Sequence, residues 1–145
     1  MNTIHVNIVS AEGEIFVGDA TMVFAPAQMG EVGIAPRHAP LLTGLKPGGV
    51  RVQRQSEKGE PEELYFYVSG GVLEVQPKSV TVLADSAMRA KDLDGAAAEE
   101  ARKRAQEMLK ERTSAVEVAT AQAELAAAAA QIHLLQKIKK SAKTR

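Results

Sequence analysis

The sequence predicts an α+β protein in two parts: an N-terminal antiparallel β-sandwich, or flattened barrel, over residues 1–88, and a C-terminal antiparallel two-helix hairpin over 89–145. Three observations predict it. Apolar and polar residues alternate with a period of two through the first part. All six prolines, and every glycine but Gly95, lie in that part. From about residue 92 the chain lacks proline and is rich in Ala, Glu, Lys, Gln and Leu, which favour helix.

The strand runs come in order. Ile4, Val6 and Ile8 alternate with His5 and Asn7; Val50 and Val52 with Arg51 and Gln53; Leu64, Phe66 and Val68 with Tyr65 and Tyr67; Leu73 and Val75 with Glu74 and Gln76; Val80 and Val82 with Thr81. Such alternation buries one face and wets the other. Turn residues punctuate the runs: Gly13, Gly18, Pro26, Gly30, Pro36, Lys46-Pro47-Gly48-Gly49, Gly59-Glu60-Pro61, Ser69-Gly70-Gly71 and Gln76-Pro77-Lys78-Ser79. Turns roughly ten residues apart, with no helical period between them, predict an antiparallel sandwich rather than a doubly wound parallel sheet.

The helical part opens on Asp92 and Asp94, both candidate N-caps, with Glu99 and Glu100 near the positive end of the helix dipole. Ala98, Ala101, Ala105 and Met108 share one face. The pattern breaks at Arg112-Thr113-Ser114. Ser114 followed by Glu117 has capping-box spacing and starts a second helix, whose stripe is Val118, Ala121, Leu125, Ala128, Ile132 and Leu135. A short connection between two helices predicts an antiparallel hairpin.

Composition bounds the function. The 145 residues carry 18 basic and 18 acidic side chains, so no net charge draws the chain to phosphate backbones, and three Phe, two Tyr and no Trp make a poor platform for stacking bases. Nucleic acid is therefore not an expected partner. Cysteine is absent, which removes disulfides, thiolate metal sites and cysteine nucleophiles. No run of about 18 apolar residues is present, so direct membrane insertion is not expected. The N-terminus lacks the basic start and apolar core of a secretion signal, and a mature intracellular protein is the expectation. Charge divides with the fold: residues 1–90 hold seven basic and ten acidic side chains, net −3, and residues 91–145 hold eleven and eight, net +3.

Enzyme motifs are missing. No Gly-rich loop leads into Lys-Ser or Lys-Thr, and His5, His38 and His133 stand far apart without a second histidine at ligand spacing. A dispersed enzyme site would need His5 or His38 to meet carboxylates in space, whereas His38 reads most simply as a surface or turn residue and the paired aspartates as caps. No catalytic residue, metal or cofactor is expected. The alanine-rich helices admit two readings. Alanine is the best helix former, so the segment is simply helical. Alternatively, a seam of Ala98, Ala101, Ala105, Ala121 and Ala128 buries so little apolar area that it opens easily, while the separated helices keep their propensity. The lysines of the last nine residues, Lys137, Lys139, Lys140 and Lys143, with Arg145, form a solvated end or meet an acidic protein surface or anionic lipid. The lack of an aromatic anchor on the second helix disfavours lipid.

More specific information lies in the loops. Gly30-Glu31-Val32-Gly33-Ile34-Ala35-Pro36-Arg37-His38-Ala39-Pro40-Leu41-Leu42-Thr43 precedes Lys46-Pro47-Gly48. Tyr67-Val68-Ser69-Gly70-Gly71-Val72-Leu73-Glu74-Val75 and Val80-Thr81-Val82-Leu83-Ala84-Asp85 follow. Together these resemble the epsilon subunit of bacterial F-type ATP synthases, collinearly over about 1–90 and more loosely to the end.

The resemblance implies a non-catalytic rotor subunit on the cytoplasmic face of the bacterial inner membrane. It would join the gamma subunit and the c-subunit ring in the central stalk that passes torque between proton translocation and ATP synthesis. It places Glu31, Arg37, His38, Leu41 and Leu42 at the contacts with ring and gamma, although glycine is expected where Arg37 stands. It makes the hairpin a regulatory element that permits turnover when folded and blocks ATP hydrolysis when extended. Arg102, Lys103, Arg104, Lys137, Lys139 and Lys140 then become candidate partners for acidic segments of the beta (and alpha) subunits. Some members bind MgATP through Leu/Ile-Asp-x-x-Arg-Ala; here Leu93, Asp94, Ala98 and Arg104 match the motif and its continuation, but Ala97 replaces the arginine. Weak or absent MgATP binding is the expectation, because an arginine fork is hard to replace as a phosphate partner. The competing function is a generic β-sandwich adaptor whose helical hairpin binds partner helices.

Overall fold

In the computed structural model, which describes residues 2–111 and 114–143, ten strands precede two helices. The strands are β1 (Ile4–Ser10), β2 (Gly13–Ala20), β3 (Met22–Ala27), β4 (Gly30–Ile34), β5 (Leu41–Leu45), β6 (Gly48–Gln55), β7 (Pro61–Val68), β8 (Gly71–Gln76), β9 (Ser79–Ala84) and β10 (Ala87–Arg89). A 3-10 turn at Ala90–Asp92 leads to α1 (Gly95–Glu111) and α2 (Ala115–Lys143). The chain divides into two compact units, residues 1–91 and 92–145.

The strands form one sheet in the order β10-β7-β6-β3-β5-β8-β9-β1-β2, with β4 paired to β3 off that path. Pairing is antiparallel except between β1 and β9, which run parallel from His5↔Ser79 to Ser10↔Ala84. The sheet curls into a nearly closed sandwich around Ile4, Val6, Ile8, Val23, Ile34, Val50, Val52, Phe66, Val68, Leu73, Val75, Val80 and Val82, all fully or almost fully buried. These are the inward members of the alternating pairs, so the period of two is the cause of the core. Between the two end strands, the Arg89 guanidinium on β10 donates to the Ile15 carbonyl on β2 at 3.2 Å and lies 5.7 Å from the Phe66 ring. A side chain thus spans what backbone pairing leaves open.

Gly18 and Pro26, both read as turn markers, lie well inside strands. Gly18 sits in β2, where an added Cβ would stand 3.0 Å from the Phe16 ring. Pro26 sits in β3 between its pairing with β6, which ends at Phe24, and its pairing with β5 at Ala27. A residue without an N–H is tolerated at such a junction, and the Pro26 carbonyl accepts from Lys46 N at 2.9 Å. The Ser69-Gly70-Gly71 turn behaves as predicted. Gly71 has φ +137°, and a Cβ there would fall onto the Leu83 carbonyl, so only glycine lets β8 approach β9 so closely.

In the second unit α1 and α2 pack against each other as a hairpin. Asp94 is the N-cap of α1: its Oδ1 accepts from Ala96 N at 3.0 Å and Ala97 N at 3.1 Å. Asp92, the other candidate, lies in the 3-10 turn instead. Ser114 caps α2, with Oγ accepting from Glu117 N at 3.1 Å; Arg112 and Thr113 lie outside the described residues. Ala98, Ala105, Ala121 and Ala128 are all buried, and Ala101 is half-buried. Met108, expected on the same face, is 38% exposed near the C-terminal end of α1. Leu134 is buried although it falls outside the predicted stripe.

Candidate functional site

The segment singled out by sequence spans the sandwich from one end to the other. Gln28 and Met29 form the two-residue tip of the β3–β4 hairpin, closed by Ala27↔Gly30. Gln28 braces the tip on β5, with its backbone N donating to Gly44 O at 3.1 Å and its Nε2 to Leu45 O at 3.4 Å. Met29 is left 99% exposed. Glu31 is an exposed residue of β4 beside this tip, opposite Pro26. β4 then carries the chain about 10 Å, at roughly 3.3 Å per residue, to Ile34 at the other end. There Arg37 and His38 occupy the β4–β5 connection. Glu31 and His38 are therefore not brought together.

The turn at Ala35–His38 explains the odd residue. His38 N donates to Ala35 O at 3.1 Å, Pro36 takes the second position, and Arg37, the third, has φ +67°. These are the marks of a type II turn, whose third position needs positive φ and favours glycine. Arg37 is the only non-glycine residue with positive φ among those described, and this conformation costs an ordinary L-residue about 1 kcal/mol or more. The glycine expected there thus had a backbone reason. Arg37 N also donates to Pro77 O at 2.9 Å, tying the loop to the β8–β9 turn. His38 Nδ1 lies 2.7 Å from Ala39 O.

Leu41 and Leu42 split between faces. Leu41 packs against the core, whereas Leu42 points outward and is 71% exposed. Cross-strand register extends the outer face from Leu42 over Glu74 and Thr81, and from Gly44 over Val72 and Leu83. Val72 and Leu83 are exposed, as is Val17 on β2 opposite Asn7. Asn7 Oδ1 on that face is buried and accepts no hydrogen bond among the described residues. An outward band with exposed Leu and Val and an unused acceptor has the character of a protein-binding surface.

The histidines form no enzyme-like constellation. His5 Nδ1 lies 3.1 Å from Asp19 Oδ1 across the β1–β2 pair, with both side chains more than half exposed. Among the described residues no group of three or more His, Asp or Glu side chains gathers to hold a metal, and no helix is long and apolar enough to cross a membrane.

In the hairpin, Ala97, Ala98, Ala101, Arg104 and Met108 of α1 face Glu124, Ala127, Ala128 and Gln131 of α2 across an open groove of about 620 Å³. Of the motif residues, Asp94 has one oxygen committed to capping, Leu93 is half-buried, Ala98 is buried in the seam, and Arg104 is, among the described residues, the one cation lining the groove. Arg102 is paired to Glu99 at 2.7 Å. Arg102, Lys103 and Arg104 project in directions about 100° apart, as do Lys139 and Lys140, whereas Lys137 and Lys140 share a face. Lys103, Arg104, Lys137, Lys139 and Lys140 are exposed.

A β-sandwich followed by a two-helix hairpin is a two-part architecture shared with one class of known proteins. The family model for the ATP synthase delta/epsilon chain β-sandwich domain matches residues 3–90, and that for its long α-helix domain matches 91–136. The chain belongs to this family. Within it the likeness is to epsilon chains. That of Halorhodospira halophila is 55% identical over 143 residues, covering 99% of both chains, and that of Nitrosococcus oceani is 60% identical over 138 residues, covering 95% of this chain and 96% of its own. Among solved structures, a chain of the Euglena gracilis mitochondrial ATP synthase, in its OSCP/F1/c-ring assembly, shares the fold. Its TM-score is 0.73 at 20% identity, over 88% of this chain and 77% of that one.

Proposed function

We propose that the chain is a non-catalytic central-stalk subunit of a proton-translocating ATP synthase, held peripherally at the cytoplasmic face of a bacterial membrane. The sandwich is its foot. The outward band around Leu42, Val72 and Leu83 suits the gamma subunit, and the Met29–Glu31 tip suits the polar loops of the c ring, where charge sets register more than affinity. Met29 is an addition that sequence reading missed; an apolar residue at a two-residue hairpin tip was the available signal.

The hairpin is the regulatory arm. The observation that carries this reading is the seam: of the five buried side chains described in the hairpin, Ala98, Ala105, Ala121 and Ala128 are alanines, and Leu134 alone is large. Alanine contacts contribute far less than leucine contacts, whose loss costs about 2–5 kcal/mol each. An arm so latched can be released by differential binding of about 5.5 kcal/mol, which moves a two-state equilibrium from 1:99 to 99:1. Extended, its exposed cations meet acidic segments of the beta and alpha subunits and stop ATP hydrolysis. MgATP binds the isolated chain weakly or not at all: among the described residues Arg104 is the one cation lining the groove, and Ala97 supplies no guanidinium.

Pull-down from detergent-solubilised membranes tests the assignment. Gamma, alpha, beta and c chains copurify with the tagged protein. Capture of unrelated helical partners without any ATPase chain would favour the generic adaptor.

A further inference from the structure

We infer that Arg37 is a partner-reading residue: its strained backbone presents a cation to a carboxylate on the protein subunit that grips the sandwich. The inference rests on the rotor-subunit reading and deepens it. Four observations carry it. First, Arg37 holds φ +67° at the third position of a type II turn, where glycine or asparagine would form the same turn with less strain. Second, the conformation is fixed from both sides, by Arg37 N to Pro77 O at 2.9 Å and by His38 N to Ala35 O at 3.1 Å. Third, the side chain is exposed and its guanidinium has no hydrogen bond or ion pair among the described residues, so nothing within the fold repays the strain. Fourth, the bond to Pro77 sets Arg37 beside Lys78, which is also exposed and without a side-chain partner among the described residues. The result is a small positive spot at one end of a region whose first 90 residues carry net −3.

Strain kept at an exposed residue with no intramolecular role points to an intermolecular one. The chemistry selects the occupant. A guanidinium fork matches a carboxylate in bidentate geometry. Lipid surfaces are typically read by clusters of about four to eight cations, more than this spot holds, and the negative background opposes an anionic membrane.

Reconstitution of ATP synthase stripped of this subunit tests the inference, with full-length wild type, Arg37→Gly, Arg37→Asn and Arg37→Lys titrated at low and high salt. Thermal unfolding of each chain is measured in parallel. The inference predicts that Arg37→Gly and Arg37→Asn unfold a few degrees higher yet bind about tenfold more weakly at low salt. Their binding also becomes less salt-sensitive, while Arg37→Lys retains much of the wild-type affinity. Binding of the Gly and Asn variants equal to wild type overturns it, and so does a fall in their unfolding temperature, which would remove the strain. Arg37-dependent capture by vesicles of phosphatidylserine and phosphatidylcholine overturns it in favour of a phosphate ligand. If wild type itself fails to bind the stripped enzyme, the rotor reading fails and the inference falls with it.

Discussion

Single residues in this chain do work that a period cannot reveal. Asp94 ends two orphan amide groups at the start of α1, and Asp94→Ala is expected to cost about 1 kcal/mol. Faster amide exchange in the first turn of α1, with the sandwich unaffected, is the measurement. Gly71 is required by both its φ of +137° and the nearness of the Leu83 carbonyl; Gly71→Ala should destabilise the sandwich by about 2–4 kcal/mol in urea unfolding. Ala97 is notable for what it does not offer. Calorimetric titration of the isolated chain with MgATP should give no micromolar binding, and a micromolar constant would contradict the proposed loss of the phosphate partner.

At the scale of elements, the hairpin was more legible than the sandwich, for a physical reason. Capping is local: Asp94 and Ser114 stand beside the amides they satisfy, so spacing locates the second helix start and narrows the first to Asp92 or Asp94. Strand pairing is nonlocal, and period-two alternation locates only strands with one clean wet face. β1, β6, β8 and β9 are of that kind; β7 alternates in sequence, but Tyr65 on its outer face is half-buried and Tyr67 is buried. β5 hides behind the adjacent Leu41 and Leu42, β3 behind an unbroken apolar run that includes Pro26 although its burial alternates, and β2 behind Gly18 beside the Phe16 ring. The parallel pairing of β1 with β9 could not be read at all, since it joins segments about seventy residues apart. Of the candidate site, Leu42 and Glu31 were placed where a partner could reach them, but the separation of Glu31 from Arg37 and His38 needed the direction of β4. The alanine seam makes its own prediction. Ala121 is fully buried, so Ala121→Leu should overpack the seam by about 1–3 kcal/mol and loosen α1 from α2 while helix content persists. The chain has no cysteine, so spin labels at Lys103→Cys and Glu124→Cys report the interhelix distance cleanly. A longer, broader distribution is expected; an unchanged one would mean the seam has room to spare.

For the whole molecule, the two units have different energetic characters. The first is a hydrogen-bonded sandwich around a continuous apolar core, suited to carrying load. The second consists of helices with high intrinsic propensity joined by a weak seam, suited to changing partners. In the proposed role the first sustains rotation and the second decides whether ATP hydrolysis can drive it backwards. The most direct test is to end the chain at Lys91, rebuild the ATP synthase with the truncated subunit, and measure ATP hydrolysis alongside proton pumping. The account predicts an assembled, coupled enzyme whose hydrolysis rises severalfold. An assembled and coupled enzyme hydrolysing ATP at the full-length rate would contradict it.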